Sequence, residues 1–201
     1  MEIKTFTSGA FQVNSYLLVI EKEAIIIDPF ESKEILKEIR DIKLKYILLT
    51  HGHIDHILAV NEIKEKTNAK IAIHKDDLNL LNNENENMSI SFNVKLKKIT
   101  PDIILEDNQI LQIKNKELKI IHTPGHTQGS ISILIDNNLF SGDTLFEDSI
   151  GRTDLPTGSL EQEINSIKTK LLTLPENTIL YPGHGEKTTI KQEKENNPFL
   201  K

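Results

Sequence analysis

Apolar positions along this chain fall in short runs of two kinds. Tyr16 to Ile20, Ala24 to Ile27, Tyr46 to Leu49, Lys70 to Ile73, Leu118 to Ile121, Ile131 to Ile135 and Thr178 to Tyr181 are brief and rich in β-branched Ile, which predicts strands. Ile3, Thr5 and Phe6 open the N-terminus in the same pattern. Ser32 to Arg40, Ile54 to Lys66, Ser159 to Leu172 and a stretch from about Thr188 carry helical patterns instead, with Ser32 placed as an N-cap. Strand runs with helices between them predict an α/β (α+β) fold in which two sheets share a core and helices cover the outside. Asn82 to Asn87 (NNENEN) has no periodicity and reads as an exposed loop. No repeat or linker divides the chain, so residues 1–201 are read as one domain, long enough to bury a sizeable core.

Composition narrows the classes. At 37% hydrophobic and 27% charged the chain is ordinary globular protein, and no apolar run approaches the roughly 18 residues that a bilayer span needs. The N-terminus shows no basic region followed by an apolar stretch, so a cytoplasmic location is the expectation. A net charge of −6 argues against gripping phosphate backbones, which takes clustered Lys and Arg. Neither a nucleic-acid nor a membrane partner is expected, and the oligomeric state is left open. Cysteine is absent, which removes disulfides, thiol nucleophiles and thiolate ligands together. Any metal must be held by nitrogen and oxygen.

Five of the seven histidines stand in three segments: Thr50-His51-Gly52-His53-Ile54-Asp55-His56, Thr123-Pro124-Gly125-His126 and Tyr181-Pro182-Gly183-His184. Asp143, in Ser141-Gly142-Asp143-Thr144, adds a fourth. Each segment follows an apolar strand-like run, so four strand ends can deliver their loops to one edge of the sheets. Glycine or proline flanks each one, as a turn approaching a compact site requires. Imidazole and carboxylate suit Zn²⁺ or Fe²⁺ where thiolate is missing. His51 and His53 can reach one ion while Asp55 and His56 serve another, which predicts two neighbouring metals. His74 reads as a structural surface residue. His122 either holds a ligand loop by a hydrogen bond or fills a strand end, Asp28 is read as a support for the metal loops, and Arg152 is either a substrate contact or an anchor for its loop.

The pattern His-x-His-x-Asp-His, followed by separate His, Asp and His segments, resembles the metallo-β-lactamase superfamily from Asp28 to the C-terminus. The resemblance implies an αββα sandwich. It implies one metal on His51, His53 and His126, a second on Asp55, His56 and His184, and Asp143 bridging them. Within that superfamily, Gly142-Asp143-Thr144-Leu145-Phe146, Ser149-Ile150-Gly151-Arg152-Thr153-Asp154 and the closing Asn197-Pro198-Phe199 look like the short bacterial form of the glyoxalase II (hydroxyacylglutathione hydrolase) branch. The implied reaction is hydrolysis of a small-molecule thioester by a metal-bridging hydroxide, with Asp55 and Asp143 as the catalytic carboxylates. The implied cofactors are two divalent ions, zinc first, with iron or manganese as alternatives. Asp143, where β-lactamases of this fold place cysteine, argues against antibiotic hydrolysis, and the length argues against the RNA-processing branches.

The chain also departs from glyoxalase II. Only about a dozen residues separate Gly185 from Asn197-Pro198-Phe199, so most of the helical C-terminal extension that contributes cationic glutathione contacts is not expected, and Gly151-Arg152-Thr153-Asp154 stands where the family has a Gly-Lys-Phe-Tyr type segment. A mononuclear-iron persulfide dioxygenase shares the Gly-Arg-Thr-Asp pattern, but such enzymes carry His-Asp-Tyr where this chain has Gly183-His184-Gly185. A lactonase or phosphodiesterase on the same metals is a further alternative. A non-enzymatic binding module would not need the complete ligand set.

Overall fold

Alternation along the strands sorts their side chains into separate layers. In β2 (Val13–Ile20), Leu17 joins a cluster with Ile35, Val60 and Ile63, whereas Leu18 joins Ile25, Ile120, Ile133 and Phe140. A period of two sends neighbours to opposite faces, so a strand buried on both sides builds two cores at once. The computed structural model, which describes all 201 residues, repeats this in two six-stranded sheets.

The first sheet runs in chain order through β1 (Glu2–Ser8), β2, β3 (Glu23–Ile27), β4 (Lys43–Leu48), β5 (Lys70–His74) and β6 (Ile103–Leu105). The second contains β7 (Ile110–Ile113), β8 (Lys116–His122), β9 (Ile131–Ile135), β10 (Asn138–Gly142), β13 (Ile179–Pro182) and β14 (Thr188–Thr189) in the order β14-β13-β10-β9-β8-β7. A small hairpin of β11 (Leu145–Phe146) and β12 (Ser149–Ile150) leaves the end of β10. The sheets share the Leu18–Phe140 core. Helices α1 (Lys33–Glu38) and α3 (Val60–Thr67) cover the outer face of the first sheet. On the second, Leu139 and Leu180 pack with Ile167, which follows α4 (Leu160–Ser166), and with Ile190 of α5 (Ile190–Asn196). This is the expected αββα sandwich in a single domain.

Three local expectations need correction. The helix expected over Ile54 to Lys66 is two pieces, α2 (Ile54–Ile57) and α3, because the Ala59 N–H bonds the Pro29 carbonyl instead of continuing the helical ladder. Ser32 does stand at the N-cap position of α1, its carbonyl accepting from the Leu36 N–H at 2.8 Å, but its side chain makes no capping bond and its hydroxyl donates to Glu62. Ser159 and Thr189 do cap α4 and α5, accepting from the Gln162 and Gln192 amides. Asn87, expected in an exposed loop, is buried: its carbonyl accepts from the Ile54 N–H at 2.9 Å and its side chain from the Ser89 N–H at 2.9 Å. His74, expected at the surface, is also buried and stacks on His122 with ring centroids 4.0 Å apart. No helix is long and apolar enough to cross a membrane.

Candidate metal centre

All four histidine and aspartate segments leave their strands at one edge of the sandwich. His51 follows β4, His126 follows β8, Asp143 is the first residue beyond β10, and His184 follows β13. The Ile131 N–H bonds the Thr50 carbonyl at 2.9 Å across the two sheets, and the Gly183 N–H bonds the Gly142 carbonyl at 2.8 Å. Gly183 is glycine for a spatial reason, since a Cβ there would collide with the Asp143 carboxylate and crowd the His56 ring.

The seven residues singled out from the sequence meet in overlapping groups. His51, His53 and His126 form one; Asp55, His56 and His184 form another; and His51, His56 and Asp143 link them. Asp143 lies between the groups, with Oδ1 3.4 Å from His56 Nε2 and Oδ2 3.6 Å from His126 Nε2 and 3.5 Å from His184 Nε2. Asp55 Oδ2 is 3.4 Å from His184 Nε2.

Hydrogen bonds behind the rings decide which nitrogen each presents. His56 Nδ1 donates to Asp28 Oδ2 at 3.0 Å, His126 Nδ1 to the Arg152 carbonyl at 2.8 Å, and His184 Nδ1 to the Phe11 carbonyl at 2.9 Å. Thr50 gives its only hydroxyl proton to Asp28 at 2.6 Å, so it accepts from His51 Nδ1 at 3.1 Å. Four imidazoles therefore turn Nε2 inward, the arrangement that metal-ligating histidines take. His53 differs, with Nδ1 2.9 Å from His126 Nε2, which is itself 3.2 Å from His51 Nε2.

Lone pairs packed this closely repel unless a cation separates them. Burial opposes a proton on His56 and His184, but Asp143 and Asp55 outweigh it, raising His56 well above the usual imidazole range and His184 up to about 10, whereas at His51 and His53 a proton cannot fill that role. Burial, reinforced by His56 and His126, holds His51 well below the usual imidazole range, and burial with His126 pushes His53 down to about 3. Burial pushes Asp143 upward, but His56, His184 and His126 outweigh it and hold the carboxylate well below its usual range. His56 Nε2 and Asp143 Oδ1 are buried without a hydrogen-bond partner. A buried unpaired acceptor is costly, and metal coordination is the chemistry that removes the cost. The donor set, nitrogen and carboxylate oxygen with no sulfur, fits two divalent ions.

Asp28 accepts from the Thr50 N–H at 2.7 Å as well as from Thr50 Oγ1 and His56. His122 ends β8, and its Nε2 lies 2.8 Å from the carbonyl of Gln128, two residues beyond His126. Arg152 reaches the site through its carbonyl. Its guanidinium pairs with Asp154 through two bonds of 2.8 Å in the open.

Two buried carboxylates escaped the sequence reading. Asp77 accepts from the Gly52 N–H at 2.9 Å, the Thr127 hydroxyl at 2.8 Å and the Gly129 N–H at 2.7 Å, tying the His51–His53 loop to the His126 loop. Glu163 accepts from the His126 N–H at 2.9 Å, and burial pushes its carboxyl up to about 9. Nothing in Lys75-Asp76-Asp77 marks Asp77. Glu163 did leave a signal, since it shares the helical stripe of Ile167 and Leu171, where an acidic residue is out of place.

The family model for the metallo-beta-lactamase superfamily matches residues 8–184. The chain belongs to this superfamily. Among its relatives, "Hydroxyacylglutathione hydrolase GloC" of Haemophilus influenzae is 38% identical over 208 residues, covering 100% of this chain and 98% of the relative. The crystal structure of "BLEG-1 B3 metallo-beta-lactamase" superposes with a TM-score of 0.92 at 38% identity, covering 99% of each chain. "ETHE1 from Myxococcus xanthus" superposes with a TM-score of 0.83 at 27% identity, over 98% of this chain and 84% of that one. "TTHA1623 in a di-iron-bound form" gives 0.84 at 32%, over 98% and 100%. The argument from Asp143 against antibiotic hydrolysis loses its force, because a superfamily member described as a β-lactamase is as similar in sequence as the glutathione-ester hydrolase.

Proposed function

We propose that this metallo-hydrolase is a thioesterase of the glyoxalase II type, holding two divalent metals and cleaving small-molecule thioesters. The observation that carries the reading is Asp143, whose two oxygens face the histidines of both ligand groups at once. The 38% identity to a relative named hydroxyacylglutathione hydrolase supports it.

Two divalent ions, when bound, supply a water nucleophile at neutral pH and a Lewis acid for the carbonyl oxygen. The chain's own part is to place and hold protons. Asp55, itself one of the candidate ligands, lines the cavity. Burial pushes its carboxyl upward, but His56 and His184 outweigh that and keep it ionised, so it accepts a proton from attacking water rather than donating one. The Phe11 and Arg152 carbonyls keep His184 and His126 from turning while the carbonyl carbon is attacked. A thiolate leaves without needing a general acid.

The test is thiol release from S-D-lactoylglutathione and from S-benzyl thioacetate by zinc-loaded and iron-loaded protein, with His56→Ala as control. Turnover of either that is abolished in the control supports the reading; no turnover of both by protein carrying two metals removes it. A second reading, persulfide oxygenation, is favoured by Gly151-Arg152-Thr153-Asp154 together with the likeness to ETHE1. Oxygen consumption with a persulfide substrate on iron-loaded protein decides it.

A further inference from the structure

The cavity at the metal centre, about 380 Å³ and so within the range of small-ligand sites, has two kinds of wall. One is made by the metal-site residues His53, Asp55, His126, Asp143 and His184. Most of the rest is apolar, with Ile54, Met88, Phe11 and Phe92 from one group of segments and Phe146, Ile150 and Leu155 from another.

Phe11 and Phe92 are not core residues. They stand 38% and 46% exposed, yet meet edge to face with ring centroids 4.6 Å apart at the cavity wall. Both are fixed to ligand-bearing segments. The Phe11 carbonyl accepts from His184 Nδ1, and the segment leading to Phe92 starts at Asn87, whose carbonyl accepts from the N–H of Ile54, between His53 and Asp55. Two aromatic faces held out of the core and against the metal centre offer a bound molecule an apolar seat.

The same cavity offers little to an anion away from the metals. Arg152 is its one Lys or Arg, and both oxygens of Asp154 already occupy that guanidinium. A glutathionyl group carries two carboxylates several bonds from the thioester, which would meet Phe, Met, Ile and Leu side chains. Burying them there without partners is unfavourable, whereas an aryl or alkyl group gains by leaving water.

We propose that this site takes thioesters bearing an apolar, uncharged aryl or alkyl group, seated against Phe11 and Phe92, in preference to thioesters of anionic glutathione. The bond cleaved rests on the thioesterase reading, whereas the group preferred rests on the cavity wall alone.

Two stable thioether ketones separate these, benzyl 2-oxopropyl sulfide and S-(2-oxopropyl)glutathione, titrated calorimetrically into the metal-loaded protein and into Phe11→Ala and Phe92→Ala. The benzyl compound is expected to bind about tenfold tighter, with the ratio between the two ligands falling severalfold in each variant at unchanged melting temperature. Equal or tighter binding of the glutathione compound, or a ratio that neither variant moves, overturns the proposal. Turnover of S-benzyl thioacetate against S-acetylglutathione reads the other claim. If neither is cleaved while the benzyl ketone keeps its advantage, the thioesterase reading falls and the apolar preference stands.

Discussion

Asp77 lets the link between structure and metal binding be tested away from the ligands themselves. Its side chain is fully buried and receives three hydrogen bonds, from Gly52 N, Thr127 Oγ1 and Gly129 N. Gly52 lies between His51 and His53, and Thr127 follows His126, so one carboxylate sets the distance between two loops that supply three ligands. Asp77→Ala strands the buried Gly52 and Gly129 N–H groups, whereas the Thr127 hydroxyl keeps Ser130 Oγ at 2.8 Å. At roughly 1–3 kcal/mol for each unsatisfied group, with some relaxation, the loss is about 4 kcal/mol. Asp77→Asn keeps the shape and one acceptor oxygen, and costs about 1–2 kcal/mol by the same reasoning. If the bonds hold the ligands in place, metal affinity falls as well, by about 10–100-fold, as when a group behind a ligand is removed. Urea unfolding of the metal-free protein reads the first effect, and competition with a fluorescent chelator reads the second. A variant that loses stability but keeps wild-type metal affinity would refute the link, leaving Asp77 a structural carboxylate only.

Other outcomes follow from the same geometry. Asp143→Ala, which removes the carboxylate between the two ligand groups, is expected to lower metal content from two ions per chain to one or none, and full occupancy by elemental analysis would contradict its placement. Gly125→Ala puts a Cβ at φ 153° into the backbone of Glu163. It should cost about 3 kcal/mol and disturb His126, so an unchanged urea midpoint would show that the contact yields easily. Burial and His122 push His74 down to about 4. A depressed imidazole contributes stability that is complete above about pH 6.5 and is lost as pH falls toward 4, at up to about 1.4 kcal/mol per pH unit. Wild type should therefore weaken relative to His74→Gln between about pH 7.5 and about pH 5, and parallel urea midpoints would count against it.

The candidate ligand set was legible in the primary structure because its chemistry is local. His51, His53, Asp55 and His56 sit within six residues, and the other three ligands each follow a strand-like run, so residue type and punctuation sufficed to mark them. The layered fold was legible for a related reason. An unbroken apolar strand such as Tyr16 to Ile20 needs both faces buried, and only a sandwich covered by helices supplies them. Asp77 and Glu163 lie 24 and 37 residues from the nearest ligands they support, Gly52's neighbour His53 and His126, and only the packing of β5 and α4 against those loops makes them partners. The same holds for the break between α2 and α3, set by the Pro29 carbonyl, and for the Phe11–Phe92 contact. The sequence by itself determined which atoms can hold metal and which faces must be buried, because both are properties of single side chains and their spacing. Tertiary structure alone decided which nitrogen each histidine presents, which carboxylates brace the loops and what lines the cavity, because each depends on a partner whose distance along the chain carries no information about its distance in space.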